Sequence, residues 1–257
     1  MNTAGDENDL GRFLGEDDDG LRPIDMPVSS QETPEPKTAP PTPGASPEAA
    51  KHMFNNEKNR AKKGDYIDLL KKDPTLSQII IAAGWDQKAV EEEPADVDLS
   101  VFLLDKDNKT RVDEDFIFYN NPEGCEGAVR HMSDSRTGAG EGDDECVTLD
   151  IKALPFDILR IAFVLSIYDE EARGRHFGQV RNVFLRLVNQ EDGHEILRFT
   201  LDENEYGETK CVLVAALVRE GPKWYFEALG TPSPKSSGLD QLATGYGIIV
   251  RELQSTG

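Results

Sequence analysis

From about residue 64 onward, short apolar runs rich in β-branched residues alternate with clusters of Gly, Asp, Asn and Pro. That rhythm predicts strands separated by turns. The runs are 77–85 (SQIIIAAGW), 98–104 (DLSVFLL), 115–120 (DFIFYN), 146–151 (CVTLDI), 160–168 (RIAFVLSIY), 183–188 (VFLRLV), 195–201 (EILRFTL), 211–219 (CVLVAALVR) and 223–230 (KWYFEALG). Alternation is strict in Val147, Leu149 and Ile151, and in Phe184, Arg186 and Val188 with Leu185 and Leu187 opposite. Such strands are covered on one or both faces. Only residues 238–247 (GLDQLATGYG) predict a helix, with Leu239, Leu242 and Ala243 on one side. Hairpin turns are expected at 105–109 (DKDNK) and 189–194 (NQEDGH), and Trp85 and Trp224 fall in core contexts. The fold class is all-β, an antiparallel β-sandwich with a short C-terminal helix.

The stretch before this region reads differently. Residues 1–50 hold a charge block, GEDDDG at 15–20, and a Pro/Thr/Ala-rich run at 32–50. They carry too little apolar surface to offset the entropy of ordering. Leu10, Phe13 and Leu14 alone have helical spacing, that of a short docking element. Basic residues then gather between 51 and 72, where KNRAKK at 58–63 sits beside the acidic tail and invites intramolecular pairing. Two parts are expected: a disordered tail over 1–63 and a β-sandwich over 64–257.

Charge narrows the partners. With 49 acidic against 28 basic residues the net charge is −21, which disfavours nucleic acid and anionic membrane surfaces and favours cations. Cys125, Cys146 and Cys211 are far apart and form no CxxC pair. A sparse, odd set of thiols argues against a disulfide framework and fits a reducing cytoplasm. No leader-like segment and no run of membrane-spanning length is present, so a cytoplasmic, non-spanning protein is expected.

The chemistry concentrates in residues 131–145 (HMSDSRTGAGEGDDE), just before the strand at 146–151. Asp134, Glu141, Asp143, Asp144 and Glu145 share this stretch with one arginine, Arg136, and with alternating Gly138, Gly140 and Gly142. Neighbouring carboxylates repel by about 1–4 kcal/mol per pair, depending on the local dielectric. A hard cation reverses that sign: Ca²⁺ takes carboxylate, carbonyl and water oxygens in a flexible shell, and glycines let the backbone curl round it. Ser133, Ser135 and Thr137 supply further oxygens. Solvation of an open acidic turn is the other reading, and these residues alone leave both open. The spacing is not that of an EF-hand: counted from Asp105, Lys109, Thr110 and Phe116 stand where an oxygen ligand, glycine and glutamate belong.

Longer motifs extend beyond this loop. GWD at 84–86 is followed by DVDLSVFLLD at 96–105, DFIFYNNPEG at 115–124, SDSRTGAGEGDDE at 133–145 and EARGRHFGQVRNVFLRLVN at 171–189. In these the chain resembles the TerD family of tellurium-resistance and general-stress proteins, over roughly residues 64–253. The resemblance implies a sandwich that binds Ca²⁺ through acidic loops, without a known catalytic site. It also implies a role in tellurite and wider stress resistance beside other resistance proteins, including a membrane partner. Carried over by position, the implied metal ligands are Asp98, Asp134, Asp143, Asp144 and Glu145, with Asn120, Asn121 and Asp169 as further donors. Ser135 stands where the family has asparagine, Ala139 where it has an acid, and Glu141 where it has aspartate. One calcium is therefore expected, and a second is left open.

A small-ligand or cyclic-nucleotide binder with a structural calcium is the alternative, since related proteins have been described as cyclic-nucleotide binders. It needs Arg173, Arg175 and Arg181 to converge. The other reading of these arginines is pairing with the acidic surface. His176 lacks a second ligand at metal spacing and reads as structural. No GxSxG, P-loop or HExxH motif occurs, and a non-enzymatic protein is expected.

Overall fold

The computed structural model describes residues 24–25, 57–88, 94–133, 142–167 and 174–251. Two sheets face each other. The six-stranded sheet runs β3-β14-β13-β10-β5-β6 and is antiparallel throughout. Its strands are β3 Tyr66–Asp68, β14 Lys223–Pro232, β13 Cys211–Glu220, β10 Arg160–Ile167, β5 Val97–Leu104 and β6 Phe116–Ile117. The seven-stranded sheet runs β2-β12-β11-β4-β9-β8-β7, namely Arg60–Ala61, Glu195–Thr200, Val180–Asn189, Gln78–Gln87, Glu145–Asp150, Val129–Ser133 and Glu123–Gly124. Only β2 joins it in parallel, on β12. A separate parallel pair links β1, Ile24–Asp25, to β15, Val250–Arg251.

Eight of the nine apolar runs coincide with these strands over most of their described length, and the ninth, at 115–120, contributes only Phe116–Ile117, because alternation with one face buried is what fixes a strand's register. Leu185 and Leu187 of β11 and Val147 and Leu149 of β9 face Leu99, Val101, Phe163 and Leu217 of the other sheet in one buried core. Trp85 and Trp224 belong to it. The expected helix forms as α3, Leu239–Gly245, after two single turns, α1 Leu69–Lys72 and α2 Glu203–Tyr206. Its Leu239, Leu242 and Ala243 cover a second, smaller core of Phe102, Phe116, Phe118 and Val164 on the outer side of the six-stranded sheet.

The sheet takes in residues ahead of Gly64, since Arg60 and Ala61 pair with Arg198 and Phe199. The basic stretch meets the domain itself: Lys63 Nζ lies 2.6 Å from Glu205 of α2. Leu10, Phe13, Leu14 and nearly all of the expected disordered tail lie outside the described residues.

Candidate cation site at one end of the sandwich

One end of the sandwich gathers the C-terminal end of β4 and the N-terminal ends of β5, β9 and β11. The pairings Ala83↔Glu145, Gln87↔Val180 and Val97↔Ile167 put these termini side by side. Lys88, Ser133 and Ile167, each followed by a connection outside the described residues, lie at this end. By sequence, the connecting residues 89–93, 134–141 and 168–173 carry Glu91, Glu92 and Glu93, then Asp134 and Glu141, then Asp169, Glu170 and Glu171, against Arg136 and Arg173.

Within this end, residues 142–145 lie along β4. The Asp144 amide donates to the Ala83 carbonyl at 2.8 Å, and the Trp85 amide donates to Asp144 Oδ2 at 2.9 Å. Such close contact depends on Gly84. A Cβ there would stand 2.6 Å from the Gly142 carbonyl oxygen and 2.5 Å from Cζ of Phe184, nearer than side-chain carbons approach. Asp144 is buried, and that burial raises its carboxyl pKa above the ordinary range. The Trp85 N–H bond opposes the rise, while the charges of Asp143 and Asp86 add to it.

The three consecutive acids go three ways. Asp143 is held by Arg186 of β11, whose Nε and Nη2 donate to its two oxygens at 2.7 and 2.6 Å. Glu145 points inward, its Oε2 2.9 Å from His131 Nε2, with 1% of its side chain and 5% of the histidine's exposed. The same His131 nitrogen lies 3.1 Å from the Leu99 carbonyl in the opposite sheet. Asp98 is half-buried and pairs with Ser166 on β5's outer side, opposite in alternation to the core residues Val97 and Leu99. Asp134 and Asp169 lie outside the described residues. Among the described residues no three His, Cys, Asp or Glu side chains are grouped as a metal site.

Several features were not singled out from sequence. Arg186, an outward-facing charge within FLRLV, is the counter-ion of the loop's exit. It crosses β4 beside Ala82, its partner in register, which is fully buried on that outer face. The bulge of β11 at Asn182, where φ is 53°, matches asparagine's tolerance of the left-handed region. Asn182 Nδ2 donates to Asp86 at 2.6 Å, so GWD and QVRN meet in space. Ser100 Oγ and Trp85 Nε1 are buried and have no hydrogen-bond partner among the described residues. A lone hydroxyl within VDLSVFLL was the available signal for Ser100.

The remaining candidates are engaged locally. Arg175 donates to the Pro94 carbonyl, Arg181 lies 3.9 Å from Asp86, and Arg173 is outside the described residues. His176 Nδ1 accepts from the Gly178 amide at 3.1 Å, capping the turn at Phe177–Gln179. Asn121 Nδ2 donates to the Phe116 carbonyl, and Asn120 is exposed. Tyr119 stands edge-on to Phe118 against the smaller core.

All these ligand candidates are oxygen donors, a set that fits a hard cation and not a soft one. Of these donors Asp144 is the buried carboxylate that the described residues place at this end of the sandwich, and Asp134 and Glu141 lie outside the described residues.

Known proteins share these motifs. The chain is 44% identical to general stress protein 16U of Bacillus subtilis (strain 168), over 73% of this chain and 96% of that one. It is 39% identical to the tellurium resistance protein TerD of Alcaligenes sp, over 72% and 95%. The crystal structure of a homologue of telluride resistance protein (TerD) from Streptomyces coelicolor A3(2) has the same fold, with a TM-score of 0.53 and 18% identity over 65% of this chain and 95% of that one. The TerD domain model matches residues 59–246, a span that contains both sheets of the sandwich but not the separate β1–β15 pair, and with them the loop exit, Gly84 and Arg186; the chain belongs to the TerD domain family.

Proposed function

We propose that this protein is a non-enzymatic, calcium-binding β-sandwich of tellurite and general stress resistance, acting as a scaffold or sensor beside other resistance proteins. The observation that carries the calcium part is Asp144. Its carboxylate is buried at the end of the sandwich where three acidic connections leave the sheets, and burial there disfavours its anionic form. A divalent cation makes that anion favourable, with Asp134 of the connection before it as a further candidate; Glu145 turns inward to His131 and Asp98 lies on the outer side of the other sheet, so either would have to turn towards Asp144 to join it. The names of relatives such as general stress protein 16U and tellurium resistance protein TerD support the stress role.

Calcium binding to the native state adds RT ln(1 + [L]/Kd) to stability, about 2.7 kcal/mol at a hundredfold excess over Kd. Millimolar calcium is therefore expected to raise the melting temperature of the full chain, EDTA to lower it, and Asp144→Asn to remove most of the response. Identical melts in calcium and EDTA sink the reading. The cyclic-nucleotide alternative gains no support from Arg175 or Arg181, each of which is engaged by a neighbour.

A further inference from the structure

Asp143 has both carboxylate oxygens occupied. Arg186 grips them side-on through Nε and Nη2, at 2.7 and 2.6 Å, the fork geometry that matches a carboxylate edge. The grip is braced from behind. Arg186 Nη1 donates to Glu195 Oε2 at 3.2 Å, and Glu195 also accepts from Arg198 Nη2 at 2.9 Å. The Arg198 guanidinium in turn lies 4.0 Å over the Phe184 ring, which packs on Gly84. Arg186 and Glu195 expose only 17% and 8% of their side chains. The row Asp143–Arg186–Glu195–Arg198 thus alternates in charge across the seven-stranded sheet and is largely shielded from water, where such pairs are strongest.

We infer that Asp143 is not a ligand of the cation but a positioning residue, and that the Arg186 clamp on it fixes the exit of the acidic connection so that Asp144 is held where a cation reaches it. This rests on the calcium reading above. It accounts for two long motifs at once: the first acid of GDDE and the arginine of RLVN are the two halves of one clamp. A ligand role for Asp143 would set a divalent ion against a carboxylate whose one edge the Arg186 guanidinium already neutralises, so the ion and the arginine would repel across it.

The two roles differ in sign. If Asp143 were a ligand, Arg186 would be a competing cation, and weakening its grip would tighten calcium binding. Plain electrostatics gives the same direction, because removing a positive charge beside the site favours a divalent ion. A positioning clamp gives the opposite: outer-shell partners of metal ligands are worth about 10–100-fold in affinity.

The experiment is isothermal calcium titration of the full chain carrying Arg186→Gln, Arg186→Lys, Asp143→Asn, and Asp143→Asn with Arg186→Gln together. Expected are a Kd raised about 10-fold or more in Arg186→Gln, and a loss no larger in the double variant than in the worse single one. Arg186→Lys keeps the charge without the fork, so it weakens binding by a smaller factor and serves if the glutamine variant does not fold. Tighter binding in either Arg186 variant overturns the inference. If wild-type protein takes up no calcium, the functional reading fails by itself. The clamp is then read in EDTA from hydrogen exchange at the Asp144 amide, which donates to Ala83: faster exchange in Arg186→Lys supports it, and unchanged exchange overturns it.

Discussion

Asp144 carries the functional reading at the scale of a single residue, and its protonation gives that reading a pH signature. Its carboxyl pKa in the folded chain is raised by burial above that of an ordinary aspartate. Between the unfolded and folded values the unfolded chain binds fewer protons, so stability falls as pH rises through that window, then stays reduced above it. Asp73 has the opposite sign: bonds from Thr75 and Asn189 lower its pKa, and its contribution is lost as pH falls. Comparison with Asp144→Asn isolates the first effect, because the amide oxygen still accepts from the Trp85 N–H but cannot ionise. In EDTA, urea denaturation from pH 4 to 7 is expected to show the wild type losing ground to the variant as pH rises. Parallel curves overturn this. None of it was readable from sequence, where Asp143, Asp144 and Glu145 formed one run of like charge. Their separation by an arginine, a backbone amide and a buried histidine is tertiary.

Strands were legible wherever one face is buried along a whole run, as in β9, whose inward Glu145, Val147 and Leu149 alternate with half-buried Cys146 and Thr148. Short strands at or next to a sheet edge were not. Tyr66–Asp68 and Val129–Ser133 have few inward apolar residues, and the second carries Arg130 and His131, so alternation has nothing to show. The single-turn helices are too brief for any helical period. The bulge in β11 was hidden for another reason: it interrupts the register between Arg181 and Phe184 inside a run that reads as unbroken. There Asn182 holds φ at 53° and donates to Asp86. Alanine at this position adds left-handed strain and removes a bond to a charged acceptor, a loss of about 1–3 kcal/mol. Glycine removes the same bond without the strain. Asn182→Ala is therefore expected to denature at lower urea than Asn182→Gly, both below the wild type. Equal midpoints for alanine and wild type exclude a structural role for the bulge.

For the molecule as a whole, the open matter is where the autonomous domain begins. Hydrophobic pattern places the start near Gly64, since nothing in KNRAKK repeats with strand period. The family match starts at residue 59, and Arg60–Ala61 closes the edge of the seven-stranded sheet by pairing in parallel with β12. Lys63 adds an exposed pair with Glu205, worth little by itself. Edge strands with unpaired amides are liabilities in any sheet. Two truncations separate the readings. A chain of residues 57–257 keeps β2 and gives up only the β1–β15 pair among the described elements, so its melting temperature and calcium shift are expected to match the full chain within about 2 °C, at most about 1 kcal/mol at this size. A chain of residues 64–257 leaves β12 uncovered and exposes part of the core at Ala61, which is 8% exposed in the full chain. It is expected to melt several degrees lower, each 1 kcal/mol being worth about 2–4 °C for a domain of this size. Should the two truncations melt together, β2 is an adornment and the domain starts where the hydrophobic pattern does. Should 57–257 itself melt far below the full chain, the tail contributes stability through more than the Ile24–Asp25 pairing.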